Sequence, residues 1–381
     1  LRDPPPAPAD AEAAPRVTVF TERLVRSSTA EAAGVHARLR AAAERSASIH
    51  VEGAGRSGVA PVEAVDRGLV LPGGLVAGPD RRLLAGGGLG AFVEALDPEA
   101  CARVIAEGVA TVVVPESVRV VVVGDPGRWV SGFDVAARVL TSLDPALVRG
   151  RVLELSGPVV DRMDAVERLA FAQCAAYVDV RAILVACDER ALQFLRARAV
   201  RPPPPVLSDR DAAFAAAEKV DVTGLEPMVF PADRIEEATA LSELPEVAVD
   251  QVVLGGHAGG RVEDLRIAAR LLKEHPVDAG VRAVCVPATP RAYVHATEEG
   301  WLSSLVRAGV VVAAPTSGFA GGEEGTTLGP GERGLATAGV GESIPVDAEL
   351  RLASPAVCAA SAVMGRIAHP DEVMRAKREA V

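Results

Sequence analysis

The chain has 381 residues, of which 49% are apolar and only 3% aromatic, and it carries a formal net charge of −11. This length is enough for two or three domains with a sizeable buried core. The negative charge argues against binding to nucleic acid or to an anionic membrane surface, because no basic field is present to attract phosphates. The scarcity of aromatic residues also argues against base-stacking platforms.

Five cysteines are scattered along the chain without a CxxC pair. An odd, dispersed set favours reduced thiols in a cytoplasmic protein over a disulfide framework. No basic segment followed by an apolar segment opens the chain, and no run of about 18 uncharged apolar residues occurs in it. We therefore expect neither a secretion signal nor a membrane span.

Residues 1–15 are rich in Pro and Ala, and we expect them to be disordered. Further along, Val-rich segments alternate with amphipathic helical patterns. The Val-rich segments are continuous, which is typical of strands buried on both faces of a parallel sheet. The repeated strand–helix order predicts three-layer α/β/α domains with mainly parallel sheets. The predicted strands are RVTVF, ASIHV, ATVVVPE, VRVVVVG, RAILVAC, DQVVLG, VRAVCVPA and AGVVVAAP, and the clearest helices are AAGVHARLRAAAERSA, VERLAFAQCAAYV and VEDLRIAARLLKEH.

The proline run RPPPP at residues 201–205 is the clearest linker, since consecutive prolines continue neither a strand nor a helix. A second break is expected near residues 115–117. The predicted organisation is a leader at 1–15 followed by domains at 16–115, 116–205 and 206–381.

A first glycine-rich turn, SIHVEGAGRSG, has Gly53, Gly55 and Gly58 in a GxGxxG spacing after a predicted strand. A dinucleotide would place its pyrophosphate on the helix that follows such a turn. Pro61 argues against that helix, and no acidic residue closes a second strand about 20 residues later. An ordinary loop is the favoured interpretation, and a nicotinamide-dependent oxidoreductase is a minor alternative.

A second glycine-rich turn, GGHAGGR at residues 255–261, joins a predicted strand to a predicted helix. One interpretation is an anion held at the helix N-terminus, with Arg261 as a bidentate donor. The other is a tight turn in which Arg261 pairs with Glu263 or Asp264. Chemistry alone leaves both open, and neither explains the histidine at position 257.

Five segments, in chain order, resemble motifs of the aconitase superfamily, above all those of the large subunit of 3-isopropylmalate dehydratase. The resemblance extends roughly from Arg16 to His369. It implies aconitase-like domains 1–3, with domain 1 shortened and without the swivelling fourth domain, which the family carries on a small subunit. The segments are LPGGLVAGPDRRLLAGGGLGAF, RLAFAQCAAYVDVRAILVACDERALQFLRAR, LGGHAGGRVEDLRIAARLLK, APTSGFAGGEEGTTLGPGER and LASPAVCAASAVMGRI.

The resemblance also implies a metal cluster that this sequence does not match. In the family three cysteines hold a 4Fe–4S cluster, and the matching positions here are His257, Ser317 and Ala320. Such clusters require thiolate ligands. We therefore expect no cofactor, and His257 with Asp80 gives only thin support for a single metal ion.

The positions that match the family's catalytic residues have changed as well, while the scaffold motifs persist. This pattern indicates a repurposed site, although Pro61 and Ala320 look like plain loss. The family's Asp-His pair matches Thr21 and Glu22, its G-I-x-H matches Gly58 to Pro61, its D-S-H matches Asp80, Arg81 and Arg82, and its helix asparagine and glutamate match Gln173 and Tyr177.

The altered positions still carry acid–base groups, cations and hydroxyls, which suit proton transfer beside a bound carboxylate. Each also has a structural alternative, such as a helix cap, a solvated pair or, for the tyrosine, a core position. The predicted catalytic residues are His257, Asp80, Tyr177 and Glu22, and the predicted substrate-binding residues are Arg81, Arg82, Arg261, Ser317 and Thr289.

Three functions follow from these observations. The first is a cluster-independent lyase, isomerase or cyclase that acts on a small molecule with a carboxylate or carbonyl group in a biosynthetic pathway. The second is a non-catalytic pseudoenzyme or scaffold subunit that binds a small-subunit-like partner. The third is the nicotinamide-dependent oxidoreductase.

Overall fold

The computed structural model describes most of the chain. The Pro/Ala-rich leader, most of the proline run at 201–205, Gly53, Gly55 and Ser317 lie outside the described residues. The described residues are 17–22, 29–45, 49–51, 56, 58–107, 109, 111–198, 204, 206–316, 326–339, 344–345 and 347–379.

The N-terminal part contains two small parallel sheets. Strand β1 (Val17–Val19) pairs with β2 (Ile49–Val51), and helix α1 (Ala30–Arg45) lies between them in sequence. Strand β3 (Leu75–Gly78) pairs with β4 (Phe92–Ala95). Helix α2 (Ala60–Asp66) precedes β3, a 3₁₀ helix at Arg81–Leu89 joins β3 to β4, and α3 (Pro98–Glu107) follows. Glycines in that 3₁₀ helix allow close packing, because a Cβ on Gly87 would lie 1.9 Å from the Ile183 carbonyl oxygen.

The second part is a four-stranded, wholly parallel sheet in the order β7-β6-β5-β8. Strand β8 comes from the segment predicted to open the third domain. It pairs along the whole length of β5, so the sheet extends beyond the expected division at residues 205 and 206. Its elements are β5 (Ser117–Val123), α4 (Gly132–Ser142), α5 (Pro145–Val148), β6 (Val152–Ser156), α6 (Pro158–Arg162), α7 (Ala165–Gln173), β7 (Ala182–Val185), α8 (Glu189–Arg196) and β8 (Ala216–Asp221).

The third part is a seven-stranded sheet in the order β10-β9-β15-β14-β11-β12-β13. Only β9 pairs antiparallel with its neighbours, and the other pairs are parallel. Its elements are β9 (Met228–Pro231), β10 (Thr239–Ala240), β11 (Gln251–Gly255), α9 (Val262–Leu272), β12 (Arg282–Val286), α10 (Pro290–Glu298), α11 (Trp301–Arg307), β13 (Val311–Val312), β14 (Arg333–Ala336), β15 (Glu349–Ala353), α12 (Pro355–Met364) and α13 (Pro370–Glu379).

The central strands of this large sheet are covered on both faces. Along β11, Val252 and Leu254 belong to one hydrophobic cluster and Val253 to another, because successive side chains point to opposite faces. Complete burial of such a side chain contributes about 1.5–3 kcal/mol to the free energy of folding. The continuous apolar runs therefore arise from two-sided burial, and the predicted α/β fold with mainly parallel sheets is confirmed.

Two local predictions were wrong. The segment ATVVVPE forms no strand over residues 111–116, where Val113 and Val114 are 78% and 88% exposed. Pro61 does not prevent a helix, because α2 begins one residue earlier and a proline in the first turn removes no helical hydrogen bond. Several strands without a continuous Val-rich run were missed, including β8, in which exposed residues alternate with partly or fully buried ones.

Replacement of Gly255 by Ala is expected to destabilise the protein severely. Gly255 ends β11 at a φ of +125°, and a Cβ there would lie 1.9 Å from the Val286 carbonyl oxygen. We expect a loss of more than about 3 kcal/mol in the free energy of unfolding, measured by urea denaturation. Gly150→Ala is the control: its φ is also positive but nothing lies within 4 Å, so only backbone strain of about 1–2 kcal/mol is expected. Equal losses in both variants would contradict the close packing.

Candidate functional site

The centre of the candidate site is the Arg82 guanidinium, which lies between two carboxylates. Its Nε donates to both Asp80 oxygens at 2.9 Å, and its Nη2 lies 2.6 Å from Asp80 Oδ2. The same Nη2 lies 3.4 Å from both Glu22 oxygens. Asp80 also caps the 3₁₀ helix by accepting a hydrogen bond from the Arg82 backbone N–H. Residues about 60 positions apart in sequence thus meet at one cation.

Electrostatics keep Asp80 and Arg82 ionised. Burial alone would raise the pKa of Asp80, but the hydrogen bonds and charge of Arg82, together with His257, lower it overall. Burial would likewise lower the pKa of Arg82, but Asp80 and Glu22 raise it. Asp80 is therefore a carboxylate that holds Arg82 and takes part in the site as a charge rather than as a proton donor.

Glu22 performs a second task at the start of α2. It accepts a hydrogen bond of 2.8 Å from the Ala60 backbone N–H, so its carboxylate occupies the anion position at the N-terminus of this helix. A dinucleotide pyrophosphate would need that same position. Glu22 is also one of three non-glycine residues with a positive φ among those described, at 33°. Such backbone strain is concentrated at functional sites.

His257 reaches the site from the second glycine-rich turn, where it lies in a short 3₁₀ helix (Gly256–Ala258) at the end of β11. It is 2% exposed, and its charge contributes to the low pKa of Asp80. The glycines around it serve close packing, since a Cβ on Gly259 would lie 2.4 Å from the Thr337 side chain. The backbone of Gly255 also exchanges two hydrogen bonds with the Thr337 hydroxyl, at 2.8 and 2.7 Å. The glycines of this loop therefore serve close packing, which is compatible with either interpretation of Arg261.

Two further polar side chains come from the end of α7 and the 3₁₀ turn that follows it (Cys174–Tyr177). The Tyr177 ring packs edge-on against Phe230, and burial raises the pKa of its phenol far above the usual value, so it keeps its proton. The Gly339 backbone N–H, which approaches the phenol oxygen as a donor, and the charge of Arg82 act on this pKa in the opposite direction. Gln173, four residues earlier, is 3% exposed.

Three buried donor groups at this site have no hydrogen-bond partner among the described residues. They are Arg82 Nη1, Gln173 Nε2 and the Tyr177 hydroxyl. A buried polar group without a partner costs about 1–3 kcal/mol. Each of the three unpaired groups therefore destabilises the folded protein until a hydrogen-bond acceptor binds there.

The structure places the remaining predicted residues differently. The Arg81 guanidinium donates to the carbonyl oxygens of Ala175 and Val178 at 3.1 and 3.0 Å, and so fixes the turn that carries Tyr177. Thr289 is the buried N-cap of α10 and accepts a hydrogen bond from the Ala292 N–H. Both side chains shape the surroundings of the site through backbone contacts.

Arg261 lies among a different set of charges. It is the N-cap residue of α9, and its backbone N–H donates to Asp264 at 3.1 Å. Burial lowers the pKa of Arg261, and the opposing charges that act on it are those of Asp66, Asp264 and Glu263. Its guanidinium forms no salt bridge with either predicted partner, Glu263 or Asp264.

Sequence reasoning missed Asp134, a completely buried carboxylate in α4. Burial raises its pKa to about 6. It accepts hydrogen bonds from the backbone and hydroxyl of Ser131 and from the Met228 N–H, so it joins α4 to β9. The Ser-x-x-Asp spacing before an apolar run is the signal that indicates this cap.

Comparisons with known proteins identify the family of this chain. A model of the "Aconitase family (aconitate hydratase)" matches residues 7–246 and 230–365. The 3-isopropylmalate dehydratase large subunit of Desulfatibacillum aliphaticivorans is 36% identical over 322 residues, which are 84% of this chain and 77% of that protein. The corresponding subunit of Acetivibrio thermocellus is 34% identical over 324 residues, with the same coverage. Aconitase X of Thermococcus kodakaraensis, solved in its holo form, is 12% identical with a TM-score of 0.42, over 69% of this chain and 61% of that one.

The fold and the comparisons define an α/β protein of the dehydratase type. The chain belongs to the aconitase family, as its motifs indicated. Among the described residues no helix is both long and apolar enough to cross a membrane.

The structure describes no cysteine at the first position of the cluster that the resemblance implies, and the other two positions, Ser317 and Ala320, lie outside the described residues. All five cysteines of the chain are free thiols, and burial raises the pKa of each of them, including Cys187 to about 11 and Cys285 to about 12. His257 stands at the first cluster position. Within the described part of the chain, no three His, Cys, Asp or Glu side chains gather as metal ligands.

Replacement of Asp80 by Ala is expected to lower the free energy of unfolding by about 2–3 kcal/mol at neutral pH, because Arg82 loses its main partner in a partly buried place. The pKa of Asp80 is lowered in the folded state, so its stabilisation is present above the unfolded pKa of about 4 and is lost as the pH falls through the folded value. Urea unfolding at both ends of this range measures the effect. Asp179→Ala is the control, since its pair with Arg149 is exposed, and a change below about 0.5 kcal/mol is expected.

Proposed function

We propose that the protein is a cluster-independent lyase, isomerase or cyclase that acts on a small molecule bearing a carboxylate or carbonyl group. The observation that carries this proposal is the set of three buried donors, on Arg82, Gln173 and Tyr177, that have no partner in the described chain. An oxyanion or carbonyl oxygen is the kind of acceptor that each of these donors lacks. Bound substrate would remove the cost of leaving these donors unsatisfied.

The nature of the substituted residues supports the same proposal. Glu22 and Arg82 both stand at positions where the resemblance implies a histidine, and here they form an ion pair. Independent loss of two histidines would not favour opposite charges in contact. Tyr177 and Gln173 also retain polar capacity at positions matched to the family's glutamate and asparagine.

The proposed roles follow from the charge state of each group. Arg82 and the Tyr177 phenol would hold the substrate oxygen and stabilise negative charge that develops on it. Asp80 and Glu22 hold Arg82 in place. His257, which lies near Asp80, would move the proton at the reacting carbon. The place of Ser317 in this scheme stays a prediction from sequence, and so does a cytoplasmic location.

A second candidate is a non-catalytic subunit that binds a small-subunit-like partner. It is favoured by the relatives, which are named as large subunits and match this chain over 77% of their length. Such a partner is also compatible with the enzymatic proposal, because in the resembled family the fourth domain completes the active site. The two candidates differ in whether a bound acid exchanges its protons.

We expect Tyr177→Phe and Gln173→Leu each to weaken binding of 3-isopropylmalate or citrate by about tenfold, the effect of one lost hydrogen bond. Both variants should leave the free energy of unfolding within about 1 kcal/mol of the wild type, since each removes a donor that the folded chain leaves unpaired. Calorimetric titration and urea unfolding measure the two quantities. Tyr293→Phe removes the other tyrosine hydroxyl of the chain and should change neither.

A chemical readout separates the enzyme from the pseudoenzyme. Protein prepared with chelator and shown by analysis to contain no iron or sulfide should exchange the α-proton of a bound hydroxy acid in D₂O, as observed by NMR. His257→Ala should abolish this exchange while binding persists. Binding without exchange in the wild type would support the pseudoenzyme, and stoichiometric iron and sulfide would refute the cluster-independent reaction.

A further inference from the structure

A second polar cavity, of about 290 Å³, lies between four helices and is distinct from the residues around Arg82. It is bounded by the C-terminal ends of α2 and α8 and by the first turns of α9 and α10. The charged or titratable side chains that line it are Asp66, Arg198, Arg261, Glu263, Arg291 and His295.

Arg261 is the decisive residue of this cavity. It is 8% exposed, and its guanidinium forms neither a hydrogen bond nor a salt bridge with any residue in the described ranges. A buried guanidinium remains charged, because no protein environment deprotonates arginine at ordinary pH. A buried cation without a partner is costly unless a ligand supplies the missing charge and acceptors.

The other charges of the cavity leave room for an anion. Arg198 is already engaged, since its Nε lies 3.1 Å from Asp66 and its guanidinium stacks 3.7 Å from the Phe194 ring centroid. Asp66, Asp264 and Glu263 act on Arg261 as opposing charges, but none of the three forms a salt bridge with its guanidinium, so its hydrogen-bond donors remain available to a ligand. Arg291 is exposed and lies in the first turn of α10, one turn before His295 on the same helix face.

The helix ends add to this field. Val262 and Glu263, from the first turn of α9, and Arg291, from the first turn of α10, all line the cavity. N-terminal turns carry partial positive charge and N–H groups that lack intrahelical acceptors. Two such ends and an unpaired buried arginine meet at one cavity.

We infer that this cavity binds a small oxyanion, the phosphate or carboxylate group of a metabolite, between Arg261 and Arg291. Both guanidinium groups can donate paired hydrogen bonds to such a group. The volume exceeds that of the anionic group itself, so part of an organic molecule fits beside it. The site stands independently of the reaction proposed above.

A bound anion here would contact the same elements that build the site at Arg82. Helix α2 begins with Ala60, whose N–H binds Glu22, and ends with Asp66 at the cavity. The turn that carries His257 leads directly to Arg261. Occupancy of the cavity therefore stabilises the segments that position Glu22 and His257.

Calorimetric titration of the full chain with inorganic phosphate and, separately, with malonate tests this inference. Binding of either anion is expected to weaken by about tenfold or more in Arg261→Gln and in Arg291→Gln, since each removes a charge-assisted hydrogen bond. Arg307→Gln, which makes the same charge change on the exposed end of α11, should bind as the wild type does. Phosphate against malonate distinguishes the two sources of the oxyanion.

Glu263→Gln provides a test in the opposite direction. Removal of a competing carboxylate should strengthen anion binding several-fold, whereas weaker binding in this variant would overturn the inference. Failure of both anions to bind, or equal binding in wild type, Arg261→Gln and Arg291→Gln, would overturn it as well. Gln173→Leu should bind the anion at the Arg261 cavity as tightly as the wild type does. This result would separate the cavity from the site at Arg82. If Arg261→Gln impairs folding, Arg291→Gln still tests anion binding, because Arg291 is exposed and its replacement does not disturb the core.

Discussion

The charge on Arg82 is the constraint on which the candidate site depends. A guanidinium in a partly buried place needs opposite charge and acceptors close by, and Asp80 and Glu22 provide both. Glu22 adopts a positive φ, and its carboxylate contacts both Arg82 and the start of α2. One cation thereby joins the end of the first small sheet, helix α2 and the glycine-rich 3₁₀ helix.

Arg82 has fewer hydrogen-bond acceptors around it than its guanidinium can use, and this leaves the site with free donors. Its Nη1 is buried without a partner, and the amide of Gln173 and the hydroxyl of Tyr177 share that condition. The raised pKa of Tyr177 keeps its proton in place, while Asp80 stays ionised. A region with fixed donors and fixed charge is suited to an oxygen-bearing ligand, since little reorganisation is needed when the ligand binds.

Packing alone holds the family framework around the candidate site. The large sheet is buried on both faces, and its glycine loop packs against the Val286 backbone at the end of β12 and against the Thr337 side chain. The scaffold motifs therefore serve packing, and they persist when the ligand residues change. A second cavity at Arg261 lies at the opposite end of α2, so this helix and the glycine-rich loop connect two polar regions.

The sequence by itself determined the α/β class, the parallel strands of the large sheet and the family, because continuous apolar runs and motif spacing are local signals. It also indicated which family positions had changed. Only the tertiary structure separated Arg81, which fixes a backbone turn, from its neighbour Arg82, which joins two carboxylates. It likewise assigned Arg261 to a cavity built from segments far apart in the chain, and exposed the run at 111–116 that looked like a strand. Local pattern shows what a side chain can do, whereas its partners depend on which distant segments the fold brings within hydrogen-bonding distance.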